Sequence, residues 1–182
     1  MKQKLMSWRF APLIVFIVVC VFFARGLFLD PQHLPSAKQG KPLPAFKLLA
    51  IEKDEPPLTT KMLKNNKYSL LNVFASWCEA CTEEQPFLLD LALKGIPIFG
   101  INYKDDSEYA KNWLNEWGNP YRSIGQDKFG KAAIDLGVYG TPETFLIDKN
   151  GRILYRHAGP LDQHVWQQFF MPKIKALESE HG

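Results

Sequence analysis

Cysteine is scarce in this chain: its 182 residues hold three, Cys20, Cys78 and Cys81, beside four histidines. That scarcity excludes a small domain stapled by several disulfides. It also excludes a closed zinc site, which takes about four Cys or His ligands. Cys20 sits in a hydrophobic N-terminal segment, and His33, His157, His164 and His181 show no ligand spacing. Charge of one sign is lacking as well. The net charge of +3 includes Lys2, Lys4, Arg9 and Arg25 at the N-terminal segment, so the remainder is close to neutral and carries no footprint for nucleic acid. Internal repeats and low-complexity tracts are absent, which sets aside solenoids and arrays. Neither a metal nor a cofactor is expected.

What is present is a pair of thiols at a telling place, in the run Phe74-Ala75-Ser76-Trp77-Cys78-Glu79-Ala80-Cys81. Two cysteines three positions apart can close a small disulfide ring when one occupies the first turn of a helix. The β-prone stretch Leu70-Leu71-Asn72-Val73-Phe74 supplies a strand leading into that helix. This is a redox-site arrangement. Simple burial is the competing reading, and Trp77 with the charged and small residues around Cys81 predicts a rim rather than a core. The domain holds no other cysteine, so the pair reads as a working couple and not as a framework.

The N-terminus predicts a membrane anchor. Residues 10–29 are apolar apart from Arg25 and are about long enough to span a bilayer, with Arg25 near enough to one end to snorkel. Lys2, Lys4 and Arg9 hold the N-terminus in the cytoplasm. A cleaved signal peptide would need a small-x-small site, and the exit reads Phe23-Ala24-Arg25-Gly26-Leu27-Phe28 instead. Cys20, flanked by Val18-Val19 and Val21, is no lipoprotein processing site and reads as a lipid-facing or helix-packing residue. The expected division is a cytoplasmic end and anchor over residues 1–29, a Pro- and Lys-rich tether over 30–44, and one domain over 45–182, outside the cytoplasm in a compartment that permits disulfides.

Within the domain, strands are expected at 45–51, 67–75, 96–102 and 121–124, followed by a hairpin of 144–147 and 152–157 around Asp148-Lys149-Asn150-Gly151. Helices are expected over 78–94, kinked at Pro86 and ended by Gly95; over 107–117; over 128–136; and from Asp162, bent at Pro172. Such a series predicts an α/β fold, a mixed sheet with helices on both faces.

Strand, Trp77-Cys78-x-x-Cys81, Pro86 and Thr141-Pro142 before the hairpin together resemble the thioredoxin superfamily. The resemblance implies that Pro142 follows a cis bond and faces the disulfide. A narrower likeness runs through Asn102-Tyr103-Lys104-Asp105-Asp106, Gly118-Asn119-Pro120-Tyr121, Gly137-Val138-Tyr139-Gly140-Thr141-Pro142-Glu143-Thr144-Phe145-Leu146-Ile147-Asp148 and Tyr155-Arg156-His157-Ala158-Gly159. These resemble the membrane-anchored thiol:disulfide interchange proteins of bacterial cytochrome c maturation, the CcmG or DsbE type. The likeness covers nearly the whole chain, including Leu27-Phe28-Leu29-Asp30-Pro31. One departure is Glu79-Ala80 between the cysteines, where many relatives carry a proline-containing pair.

The expected chemistry is dithiol exchange, with Cys78 as exposed nucleophile at a helix N-terminus and Cys81 as resolving thiol. Trp77, Thr141 and Pro142 are expected to form the substrate platform. Glu79, Glu84 and Glu143 are expected to tune the couple toward reduction by disfavouring the thiolate, although Glu79 and Glu83 also suit a solvated first helical turn. Asn72 stands where ordinary thioredoxins carry a buried aspartate; an amide cannot act as a base, so a hydrogen-bonded core role suits it equally. The resemblance further implies apocytochrome c as substrate, with its Cys-x-x-Cys-His haem site, and a transmembrane thiol reductase of the DsbD type as electron donor. Other components of the maturation system are implied as partners, at the bacterial inner membrane. A peroxiredoxin is set aside because Ala75 occupies the threonine position of its Pro-x-x-x-Thr-x-x-Cys run. A general periplasmic oxidant is opposed by the acidic residues. A thiol-dependent binding module without turnover is the non-enzymatic alternative.

Overall fold

The computed structural model describes residues 3–27 and 40–179 in two separate units, divided between Leu34 and Pro35. The first unit holds one helix, α1 (Gln3–Leu27), with Pro12 inside it. Phe10, Ile14, Phe16, Val18 and Phe22 are all exposed along it. Among the described residues no helix is long and apolar enough to cross a membrane. Side chains of α1 are described for residues 10–25, so the end of the expected span and tether residues 30–39 lie outside the described residues.

The domain begins before residue 45. Gly40 donates its N–H to Ile153 O at 2.7 Å, and Leu43 donates to Gly151 O at 2.7 Å. Residues 40–43 thus run antiparallel beside the later hairpin, because that edge offers backbone groups composition alone does not reveal.

Five strands form the central sheet: β3 (Tyr68–Phe74), β4 (Ile98–Tyr103), β5 (Ile124–Asp127), β6 (Glu143–Asp148) and β7 (Ile153–Ala158), in the order β5-β4-β3-β6-β7. β3, β4 and β5 are parallel, and β6 and β7 are antiparallel. A small hairpin, β1 (Lys47–Leu48) with β2 (Leu58–Thr59), and the short helix α2 (Thr60–Leu63) precede them. The strand expected over 45–51 is therefore two residues long, and Pro56-Pro57 closes the loop that leads to its partner.

Alternation along β3 decides the two faces. Leu70 and Phe74 pack beneath α3 (Glu79–Leu93), α4 (Ser107–Trp117) and the C-terminal helices, while Leu71 and Val73 pack against Leu58, Leu63 and, from α5 (Lys131–Leu136), Ala133 and Leu136. Gly100 on β4 is required by the first face: a Cβ there would lie 2.9 Å from Phe74 Cε1. Without it, the Phe74 ring stacks on Tyr121 at 4.7 Å and on Trp113 at 5.6 Å.

Helix α3 presents Cys81, Glu84, Gln85, Leu88 and Leu91 inward, and Pro86 falls on its exposed side. It ends as its glycine predicts: Gly95 takes φ 85°, Ile96 donates to Leu91 O and Gly95 to Ala92 O, the Schellman pattern. The strand expected over 121–124 is displaced to Ile124–Asp127, because Tyr121 turns under the sheet. α5 starts at Lys131 rather than 128, since Asp127 to Gly130 form a turn first, with Gly130 at φ 72°. The last helix is α6 (Gln163–Val165), a wide π turn (Trp166–Phe170) and α7 (Met171–Ser179). The irregular turn lies just before Pro172, which has no N–H to offer the preceding turn.

Candidate active site

The C-terminal ends of β3 and β4 and the N-terminal start of β6 lie at one edge of the sheet. Phe74 pairs with Asn102 and Val73 with Glu143, so continuing that register sets Thr141-Pro142 opposite Phe74-Ala75. The Cys78–Cys81 disulfide forms at this edge, with Cα atoms 5.3 Å apart. The Thr141-Pro142 peptide is cis, as the resemblance implies.

Cys78 is the N-cap of α3. Its backbone is extended, φ −95° and ψ 108°, and its Sγ accepts the Cys81 N–H at 3.1 Å. The sulfur thus takes the place of a capping oxygen and points at the helix's free N–H groups, which is where a thiolate is stabilised. Both cysteines belong to the apolar core, Cys78 6% exposed and Cys81 1%. The expected rim is therefore a core edge: Cys78 is the less deeply buried of the two, and both share one apolar cluster with Ala75, Leu161 and Trp166. The exposed group is Trp77, 60% accessible, whose Nε1–H donates to Lys104 O at 3.2 Å.

Asp105, placed by the sequence only within a family-like run and given no role there, holds this turn. Asp105, after β4, accepts from Ser76 N at 2.7 Å, Ser76 Oγ at 2.9 Å, Asn102 Nδ2 at 2.8 Å and Asp106 N at 2.8 Å. It clamps the segment that delivers Cys78. Asp106 as the cap of α4 is readable locally; Asp105 acts across 29 residues of chain, and nothing local marks it.

The acidic residues separate into three situations. Glu79 and Glu83 face solvent. Glu84 is buried: Oε1 accepts Asn72 Nδ2 at 2.8 Å and Oε2 accepts the Leu161 N–H at 2.8 Å. Asn72 also donates to Thr144 Oγ1 at 3.0 Å and accepts from Tyr121 Oη at 2.8 Å. Burial pushes the Glu84 carboxyl up to about 7, against the opposing pull of the Leu161 and Asn72 hydrogen bonds. Burial and the nearby Glu84 also drive the Tyr121 phenol well above its ordinary value. Glu143, the third, is bound to Arg156 through Oε2–Nε at 2.7 Å and Oε1–Nη2 at 2.8 Å. Among the described residues no cluster of His, Cys, Asp or Glu could hold a metal ion.

A dithiol couple capping a helix, on a five-stranded mixed sheet beside a cis-proline, defines a thioredoxin-like thiol:disulfide oxidoreductase. The Redoxin family model matches residues 38–168. Over 169 residues the chain is 48% identical to the thiol:disulfide interchange protein DsbE of Pseudomonas aeruginosa, covering 93% of each chain. It is 42% identical to that of Escherichia coli K12, covering 99% of this chain and 98% of the relative. Among solved structures, a thio-disulfide isomerase from Thermus thermophilus superposes with a TM-score of 0.60 at 25% identity, over 80% of this chain and 99% of that one. The chain belongs to the Redoxin family and, within it, to the DsbE thiol:disulfide interchange proteins.

Proposed function

We propose that this oxidoreductase is a reductant in cytochrome c biogenesis, reducing the haem-site disulfide of apocytochrome c from a single-pass anchor in the bacterial inner membrane, with its domain in the periplasm. The observation that carries the direction of electron flow is the buried Glu84, one helical turn beyond Cys81. Residues at i and i+3 on a helix are neighbours, and a carboxylate there disfavours a nearby thiolate, hence the reduced form. The cytochrome substrate is supported by the likeness to the CcmG or DsbE type, and the anchor by the apolar residues exposed along α1.

In the productive cycle the Cys78 thiolate attacks one sulfur of the substrate disulfide. That bond breaks, the second substrate sulfur leaves and takes up a proton, and a mixed disulfide remains. Cys81, having lost its proton, attacks Cys78 Sγ and expels the first substrate sulfur. Two electrons pass to the substrate, and the chain ends in the disulfide state of this structure. A transmembrane thiol reductase of the DsbD type then returns two electrons by the reverse exchange, directly or beside another thiol protein of the maturation system.

The test is capture on full-length Cys81→Ser in cells making c-type cytochromes, with mass identification of the trapped chains. Mixed disulfides to Cys-x-x-Cys-His segments are expected; trapping without any such segment overturns the substrate. Protease treatment of spheroplasts should digest the domain, and an intact mass should retain residue 1 or 2. A protected domain or a shortened mass overturns the topology.

A further inference from the structure

The Glu143 carboxylate is held in a buried ion pair that offsets its charge. The Arg156 guanidinium grips it with two parallel N–H bonds, and the side chains of Arg156 and Glu143 are 7% and 2% exposed. The same carboxylate reaches back along the chain, Oε1 accepting Tyr139 N at 2.7 Å and Gly140 N at 3.3 Å. The loop of residues 137–142 is thus tied at three places. Its start closes on α5 through Gly137 N to Ile134 O and Val138 N to Ala133 O; its end is fixed by Gly159 N to Pro142 O at 2.9 Å. Glu143 holds the middle.

Arg156 does a second thing. Its Cζ lies 4.6 Å from the centroid of the Tyr139 ring and 5.8 Å from that of the buried Phe145. Tyr139 is 76% exposed, yet its ring is seated on a guanidinium that the ion pair immobilises, an arrangement favourable for cation–π contact. An exposed aromatic held still, at the edge of the sheet where Thr141-Pro142 adjoins the strand that delivers Cys78, is a pre-organised docking feature. We propose that Arg156 is a positioning residue for substrate: through Glu143 and the Tyr139 ring it fixes residues 139–142 as a ready-made edge on which an extended, disulfide-bearing peptide lies. Glu143 then serves capture and not redox tuning. The inference rests on disulfide exchange itself, so it survives a different partner.

The full-length chain in detergent, acting on an oxidised Cys-x-x-Cys peptide, provides the test. Arg156→Ala should raise KM for the peptide about tenfold with kcat within about twofold, since pre-organisation contributes to binding. Arg156→Lys, which keeps the charge but loses the two-pronged grip, should recover part of the loss. Tyr139→Ala, an exposed change that leaves the core intact, should raise KM in the same direction and decides the matter should Arg156→Ala not fold. The equilibrium constant against glutathione should move less than about twofold in Arg156→Ala and Glu143→Gln. An unchanged KM in Arg156→Lys and Tyr139→Ala overturns the proposal. So does a shift of the equilibrium constant by tenfold or more in Glu143→Gln, equivalent to about 30 mV for two electrons, because Glu143 would then be tuning the couple.

Discussion

Asn72 Nδ2 donates to Glu84 Oε1 at 2.8 Å, inside the core, with neither residue open to solvent. The strand that carries Asn72 leads into the thiol pair, and the helix that carries Glu84 begins with it. The carboxylate thus comes from the helix and the amide from the strand. Tyr121, Thr144 and the Leu161 N–H complete the network.

The redox consequence depends on pH. Glu84 is largely neutral below its value of about 7 and charged above it, and only the charged form opposes a nearby thiolate. Glu84→Gln should therefore make the couple more oxidising at pH 8, by about 30 mV for each tenfold change in equilibrium constant. At pH 6 the change should be much smaller. Equilibration against glutathione at both values measures this, and equal shifts at the two pH values would refute it.

Stability should carry the same signature. Unfolded, the Glu84 carboxyl loses its proton near its ordinary value of 4.5; folded, it keeps it to about 7. Between the two the folded chain binds the extra proton, so this contribution is full below about 4.5 and is lost as the pH rises through about 7. Its size is roughly 3 kcal/mol at 1.36 kcal/mol per pH unit. Glu84→Gln should abolish this slope in urea unfolding, leaving the variant relatively more stable at pH 8 than at pH 5. A parallel pH profile in the two chains would remove the assignment.

The order of attack follows from burial and capping. Cys78, the less buried of the two and the cap facing the helix N–H groups, should be the sulfur that meets substrate. Cys78→Ser should abolish mixed disulfides, and Cys81→Ser should accumulate them. Equal trapping by both variants would contradict the order.

Asp105→Ala should leave Ser76 N–H without its acceptor and loosen the turn before Cys78. The buried Asn102 Nδ2 loses its acceptor as well, and an unpaired buried donor costs about 1–3 kcal/mol, so the urea midpoint should fall at constant m. Exchange with a peptide disulfide should slow as well. Wild-type stability and rate would show that the clamp is dispensable.

The sequence by itself determined the thiol pair, the strand before it, the helix from Ser107 to Trp117, the Gly95 stop and the hairpin after Thr141-Pro142. Each of these is written in neighbouring residues, as apolar alternation, caps, glycine or turn chemistry, and each is found. Likeness to a family added the cis bond at Pro142. Only the tertiary structure decided what the polar residues do. Glu79, Glu84 and Glu143 are all expected from sequence to tune the couple, but one faces water, one is buried against an amide and one is paired with Arg156, 13 residues away. Asp105 and Tyr121 act across 29 and 49 residues. The displacement of the strand expected over 121–124 has the same cause, since the Tyr121 hydroxyl is drawn to Asn72. Local patterns fix what a segment can form; the charge state and reach of a buried side chain depend on what the fold sets against it.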